Sequence, residues 1–378
     1  MSTLPQARLT GPEALAGSFE PAGGPELHAL SCVIHLHSTY SDGTATVEEL
    51  IEAGREAGRD AVLLTDHDTL GAKHDGYEGW HGSLLLAVGT EVSPKRGHYL
   101  AFGIDEPIAH QEMNEAEIPS AVAAGGGFGF VAHPFSIGSQ MTTRYGRKHE
   151  WRGLDHEAVA GIELWSLTTD IAERWTNVRE AIRYMRHPER QLDGPPAHHL
   201  EAWDRLCETR RVAAIGGLDA HQHGFRIAGR MITPMPNSRY FRLLGTYALL
   251  REPPSGDDEA DIATLYEALR EGRSYLGVDG FASARGFDFR AIGGGSVALM
   301  GEEHPAGEWT LRVAAPQEAR LVILRGGREV ASAEGVELEH EVTEPGAYRA
   351  EARLRVDGRE QRWILSNPIY LRAADSLG

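Results

Sequence analysis

Short apolar runs, each closing on a His, Asp or Glu, punctuate the first two thirds of the chain. In Val33, Ile34, His35, Leu36, His37 the alternation predicts a strand over Cys32–His37 with both imidazoles on one face, because side chains two apart point the same way. Thr46 and Glu49 form a capping box for a helix with Leu50, Ile51 and Ala57 on its apolar face, and Gly58 ends it. A second strand, Ala61 to Thr65, delivers Asp66 and His67, and a third, Leu84 to Val88, runs into Gly89, Thr90 and Glu91. Glu91 to Ser93 and Gly97 to Gly103 read as a hairpin whose returning strand carries His98. A helix around Ala116 to Ala124 precedes a strand, Phe128 to Ala132, that ends in His133. Val159 to Leu164 forms the next strand, with Glu163 near its end. Ile171 to Met185 and His199 to Thr209 read as helices, and Val212 to Ile215 as a strand leading to Asp219 and His221.

In parallel α/β barrels the reactive residues come from the carboxyl ends of different strands. The pattern therefore predicts a closed, barrel-like α/β sheet, with an open doubly wound sheet as the alternative. Beyond the helix Ile262 to Glu271 the grammar changes. Alternating runs at Phe287–Ala291, Trp309–Ala314, Ala319–Leu324, Gly346–Leu354 and Gln361–Tyr370, with Gly-rich turns between them, predict a small C-terminal antiparallel β-sandwich. The expected division is a tail over 1–28, a barrel domain over 29–282 and the sandwich over 283–378.

Composition narrows the function. A chain of 378 residues, 41% hydrophobic, can bury a full core, and its net charge of -18 provides no global basic field for long nucleic acid. A small anionic substrate that reaches a local cationic site is compatible with that charge. The 2 cysteines, Cys32 and Cys207, are too few for a disulfide framework. The first residues lack the pattern of a signal peptide, and no apolar stretch approaches the roughly eighteen residues of a membrane span. A soluble, cytoplasmic protein is expected, with the sandwich packing on the barrel or mediating a homo-oligomer.

The candidate metal ligands are His35, His37, Asp42, His67, Glu91, His98, His133, Asp219 and His221. A single His at a strand end is usually a hydrogen-bonded structural residue. A set with His-x-His and Asp-x-His spacing, all at strand ends, points instead to a shared site. Imidazole and carboxylate without thiolate suit zinc, manganese or iron. The set exceeds what one tetrahedral ion uses, so two or three divalent ions sharing a carboxylate are expected, activating water for a hydrolytic displacement.

HLHSTYSDG, TDHD, GTE, the His of GHYLAFGID, AHP and GLDAH, in this order, resemble the motifs of the PHP (polymerase and histidinol phosphatase) superfamily of metal-dependent phosphoesterases, over roughly Ser31 to Leu276. WDRLCETRRVAAIGGLDAH, ALREGRSYLGVDG, GFDF, PGAYRAEARL and WILSNPIYL are similar to the CehA/McbA group of metallohydrolases, in which the barrel is followed by a β-sandwich. The superfamily resemblance implies a distorted (β/α)7 TIM-like barrel with up to three metals at its mouth. By position it implies His35, His37, Glu91 and Asp219 around a first ion, with Glu91 bridging to a second held by His98 and His133. It implies Asp42, His67 and His221 around a third.

Asp66 is expected to orient His67 or a neighbouring imidazole, or else to cap its strand. Glu163 is expected to handle protons or support the ligands, with a structural salt bridge as the alternative. The cationic candidates for a substrate anion are Arg144, Arg147 and Lys148 in the long loop and Arg226 and Arg230 after His221, with Arg226 also a candidate to neutralise developing charge. Trp165, Phe135 and Phe225 are candidates for an aromatic wall, with core packing as the alternative. The expected activity is hydrolysis of a small phosphomonoester or phosphodiester by water that a di- or trinuclear cluster activates. The runner-up is a carboxyl or carbamate ester hydrolase using the same cluster. A non-catalytic binding module is disfavoured by the complete ligand set.

Overall fold

The computed structural model describes residues 24–139, 149–222, 225–227, 230–233 and 235–373, and for 225–227 and 230–232 it describes backbone alone. The chain is a mixed α/β protein whose strands divide between two main sheets and one small hairpin. In one sheet the parallel strands His28–Ile34, Ala61–Leu64 and Leu84–Val88 lie side by side. Ala61–Leu64 and Leu84–Val88 are buried at every position, as parallel strands covered on both faces must be. The second, five-stranded sheet runs Thr90–Val92, His98–Phe102, Phe128–Ala132, Gly161–Ser166 and Ala213–Gly217, and its last three strands are parallel.

The sheets meet at their ends rather than in one continuous ladder. Single bridges join Leu36 to Ala220 and His67 to Glu91, and the Leu218 N–H donates to the Ile34 carbonyl at 2.9 Å. Among the described residues no ladder closes a single barrel sheet, where the sequence led us to expect one. The break falls at Gly89, between Leu84–Val88 and Thr90–Val92. A Cβ at Gly89 would lie 2.4 Å from the Ala101 carbonyl oxygen, so the chain turns there at a close approach that only glycine permits.

The helix Val47–Glu56 opens on the expected capping box, and Val47, Leu50, Ile51 and Ala53 face the core. The single helix expected over Ile171–Met185 is two, Leu167–Ala172 and Val178–Arg186, the second capped by Asn177, whose side chain accepts the Glu180 N–H. A polar N-cap residue inside the periodic run restarts the helix.

The C-terminal strands do not stand apart as a separate sheet. Arg359–Ser366 pairs with Ser274–Gly277, so strands from beyond residue 283 continue the sheet that contains His28–Ile34, across the expected boundary at 282/283. Trp309–Ala314 and Ala319–Leu324 belong to one long strand, Trp309–Arg325, with an irregularity between Ala314 and Ala319. Its partner Arg328–Val342 was not expected. It pairs with that strand alone and is largely exposed, so it lacks the apolar alternation that marks a half-buried strand.

Candidate metal centre

The side chains expected to bind metal converge where the two sheets meet. The first strand proper ends at Ile34, and His35 turns into the left-handed region at φ 68°. His133 and Asp219 do the same at φ 30° and 50°. For residues other than glycine this costs on the order of 1–3 kcal/mol each and is characteristic of functional sites. Despite the early end of the strand, the His35 and His37 rings remain neighbours, with centroids 5.3 Å apart.

Glu91 stands at the middle. Its Oε2 lies 3.3 Å from His35 Nε2, 3.2 Å from His37 Nε2 and 3.2 Å from His67 Nδ1. Its Oε1 lies 2.8 Å from His98 Nδ1 and 3.1 Å from His133 Nε2. Asp219 Oδ1 is 3.6 Å from both His35 Nε2 and His37 Nε2. On the outer side, Asp42 Oδ1 lies 3.1 Å from His221 Nε2, 3.6 Å from His67 Nε2 and 3.8 Å from His37 Nδ1. His37 and His67 thus present their two ring nitrogens to different groups. All nine residues fall into four overlapping sets whose ligand atoms lie within 4.8 Å of one another.

These residues fit divalent cations. His35 Nε2, both nitrogens of His37, and Glu91 Oε2 are buried without a hydrogen-bond partner, although an unsatisfied buried polar atom ordinarily costs ~1–3 kcal/mol. Two donors bound to one cation at about 2.1 Å stand about 3.0–3.5 Å apart, which is close to the separations around Glu91. The electrostatics agree. Burial would raise the Glu91 carboxyl, but the surrounding imidazoles, His35 first, hold it well below the usual carboxylate range. Burial also opposes charge on His35 and His37, yet Glu163, Glu91 and Asp219 raise His35 well above its ordinary value, and the Asp219 and Glu91 carboxylates beside it take His37 to about 9. Cations would replace those protons as counter-charges to the carboxylates.

Other residues hold these side chains in place. Asp66 orients no imidazole. It accepts the Ser38 N–H at 2.7 Å, the Ser38 hydroxyl at 2.6 Å and the Ser41 hydroxyl at 2.5 Å, and so fixes the turn that carries Asp42. His67 Nδ1 instead meets the Ser93 hydroxyl at 2.6 Å. Glu163 is buried, with one oxygen on His35 Nδ1 at 2.8 Å and the other accepting the His133 N–H at 2.7 Å. Thr169 donates to Asp219 Oδ2 at 2.5 Å. Serine and threonine at such positions carry no periodic signal, which is why the sequence did not single out Ser93 and Thr169.

Trp165 lines no open wall: it is 0% exposed and packed into the core, because the strand turns it away from the mouth. Phe135 is spent on His199, with stacked rings 4.3 Å apart. Arg144, Arg147 and Lys148 lie outside the described residues. Arg226 and Arg230 lie in the hairpin Phe225–Ile227 and Arg230–Ile232, described as backbone alone. His149, which the sequence did not single out as a site residue, stands against the cluster, its ring 4.3 Å from that of His98 and 5.8 Å from that of His133. Burial and these two neighbours push it down to about 4. Among the described residues no helix is long and apolar enough to cross a membrane.

A curated relative, the phosphoribosyl 1,2-cyclic phosphate 1,2-diphosphodiesterase of Eggerthella lenta, is 34% identical over 80 residues, covering 19% of this chain and 30% of that protein. The chain therefore matches less than a third of that relative's length. Solved structures that resemble it include a two-domain protein from Bacteroides vulgatus containing a predicted PHP-like metal-dependent phosphoesterase, at 14% identity and TM-score 0.39 over 90% of this chain and 95% of that one. Another is PsfC from Pseudomonas syringae, at 14% identity and TM-score 0.37 over 61% and 85%. The model of the PHP domain family matches residues 34–137, the stretch that supplies His35, His37, Asp42, His67, Glu91, His98 and His133 to the centre.

Proposed function

We propose that this chain is a metal-dependent phosphoesterase that hydrolyses a small phosphomonoester or phosphodiester, using two or three divalent cations of the zinc, manganese or iron type. The observation that carries the reading is Glu91, whose two oxygens face separate groups of imidazoles. A carboxylate so placed would serve both groups of imidazoles in holding cations. Divalent cations, which His35, His37, Glu91, Asp219 and their neighbours would hold, would supply an acidified water and positive charge opposite phosphoryl oxygens. The chain's part is geometric: Glu163 fixes His35 and the backbone of His133, Asp66 fixes the Asp42 turn, and Thr169 fixes Asp219. Preorganised ligands of this kind need little rearrangement during reaction. The two sheets bridged at Leu36–Ala220 and His67–Glu91 support, within the same reading, a distorted barrel with the site at its mouth.

The likeness of the chain's tail to the CehA/McbA group supports a second reading, a carboxyl or carbamate ester substrate. An aryl ester needs a mostly apolar slot, and the placement of Trp165 and Phe135 does not favour one. The test is elemental analysis of the purified protein, followed by parallel assays of p-nitrophenyl phosphate, bis-p-nitrophenyl phosphate and 1-naphthyl acetate. Phosphoester turnover is expected, and its loss in Glu91→Ala and Asp219→Ala. Turnover of the acetate alone would promote the second reading, and phosphoester turnover that survives both substitutions would refute the metal centre as the active site.

A further inference from the structure

His149 belongs to none of the four converging ligand sets, yet its ring lies against two of their members. The imidazoles it touches are already committed, His98 Nδ1 and His133 Nε2 both to Glu91 Oε1. His149 Nδ1 is buried and has no hydrogen-bond partner among the described residues, while the side chain as a whole is only half-buried. Its place is set by the next turn of chain. Trp151, 3% exposed, donates its backbone N–H to the Pro134 carbonyl at 3.0 Å, and its ring packs near Tyr99, centroids 6.1 Å apart. A Cβ on Gly97 would lie 2.7 Å from the Trp151 ring, so this anchor sits directly on the turn before His98. Arg152 adds a backbone hydrogen bond to Glu115 at 3.1 Å. An imidazole held over the centre by a buried tryptophan, with an unspent nitrogen and no part in the ligand sets, has the geometry of a group that meets a bound molecule.

We infer that His149 is a substrate-binding residue, its imidazole N–H donating a hydrogen bond to a phosphoryl oxygen seated at the Glu91, His98 and His133 group. The inference rests on the phosphoesterase reading. A hydrogen bond to a charged oxygen in a partly dry site is worth roughly 10- to 100-fold in affinity.

The test uses the metal-loaded full chain as wild type, His149→Ala, His149→Asn and His149→Gln. Metal content is measured by elemental analysis, inorganic phosphate affinity by calorimetry, and turnover with p-nitrophenyl phosphate and bis-p-nitrophenyl phosphate. His149→Ala should keep its metal content and melting temperature while phosphate affinity and kcat/KM fall roughly 10- to 100-fold. Asn or Gln, whose amide N–H groups approximate the positions of the two ring nitrogens, should recover part of the phosphate affinity. Unchanged phosphate affinity in His149→Ala overturns the inference and leaves the phosphoesterase reading intact. Loss of metal in step with phosphate shows a ligand or structural residue and overturns it as well. A wild-type protein that neither binds phosphate nor cleaves a phosphoester overturns both.

Discussion

Glu163 holds His35 and His133 at once, accepting from His35 Nδ1 at 2.8 Å and from the backbone N–H of His133 at 2.7 Å. One buried carboxylate thereby sets the ring orientation of one ligand and the strained backbone of another, since both residues sit at positive φ. Carboxylates that orient a metal-binding imidazole typically contribute 10- to 100-fold in metal affinity. Glu163→Gln should therefore weaken metal binding by about that factor, as measured by titration of the apo protein. Excess metal should restore most of the activity, whereas a carboxylate acting directly on substrate would leave kcat depressed at saturating metal.

The same carboxylate explains a glycine. A Cβ at Gly217 would lie 1.9 Å from Glu163 Oε1 and 3.0 Å from the His35 Cβ. Gly217→Ala should thus push Glu163 off His35 and reproduce the metal-binding defect of Glu163→Gln. It should also destabilise the fold by about 1–3 kcal/mol through overpacking, read by urea denaturation. Gly216→Ala is the control, because its Cβ would meet only the Leu244 and Leu276 side chains, at 3.1 Å and beyond. Its metal affinity should stay near wild type.

The converging residues were legible because their spacing was local or fell at strand ends: His35 and His37 two apart, His67 closing an apolar run, Asp219 and His221 after another. The capping box at Thr46 and Glu49 was legible for the same reason. What holds the ligands in place was not. The partners of Glu163 are 128 and 30 residues away, and those of Asp66 are a serine backbone and two hydroxyls whose residue types occur throughout any chain. The continuity of the C-terminal strands with the central sheet depends on Ser274–Gly277 pairing with Arg359–Ser366, a long-range choice that alternation alone does not encode. Trp165, for which a wall and core packing were both open, is the converse case, for an aromatic at a strand end gives no sign of which side it faces until the register is known.

Asp66 makes its own prediction, because the turn it holds carries only Asp42 among the ligands. Asp66→Ala leaves the Ser38 N–H and two hydroxyls without their acceptor. The expected result is a protein that retains the inner ions around Glu91 but loses metal at the Asp42, His67 and His221 group. Elemental analysis after dialysis should then find about one ion fewer per chain than in wild type, on the expectation that three sites fill. Equal loss from all sites would show instead that the turn supports the whole centre.

The strands that carry the candidate ligands are braced from outside. Arg349 forms a paired contact with Asp204 of the helix Ala197–Thr209, at 2.7 and 2.9 Å, and reaches Glu351 at 2.6 Å. That helix leads directly into Ala213–Gly217 and hence to Asp219. Burial would raise the Glu351 carboxyl, but Arg349, Arg353 and Arg362 lower it from 4.5 to about 2. The folded value lies below the unfolded one, so the stabilisation is fully present above pH ~4.5 and is lost as pH falls through about 2. A displacement of this size corresponds to about 3 kcal/mol. Glu351→Gln should cost about that much at pH 7, consistent with breaking a buried ion pair by removing one partner. In urea titrations the gap between wild type and variant should hold from pH 7 to pH 5 and narrow by pH 3.5. A gap that is constant across the whole range would mean that Glu351 contributes through packing and not through its charge.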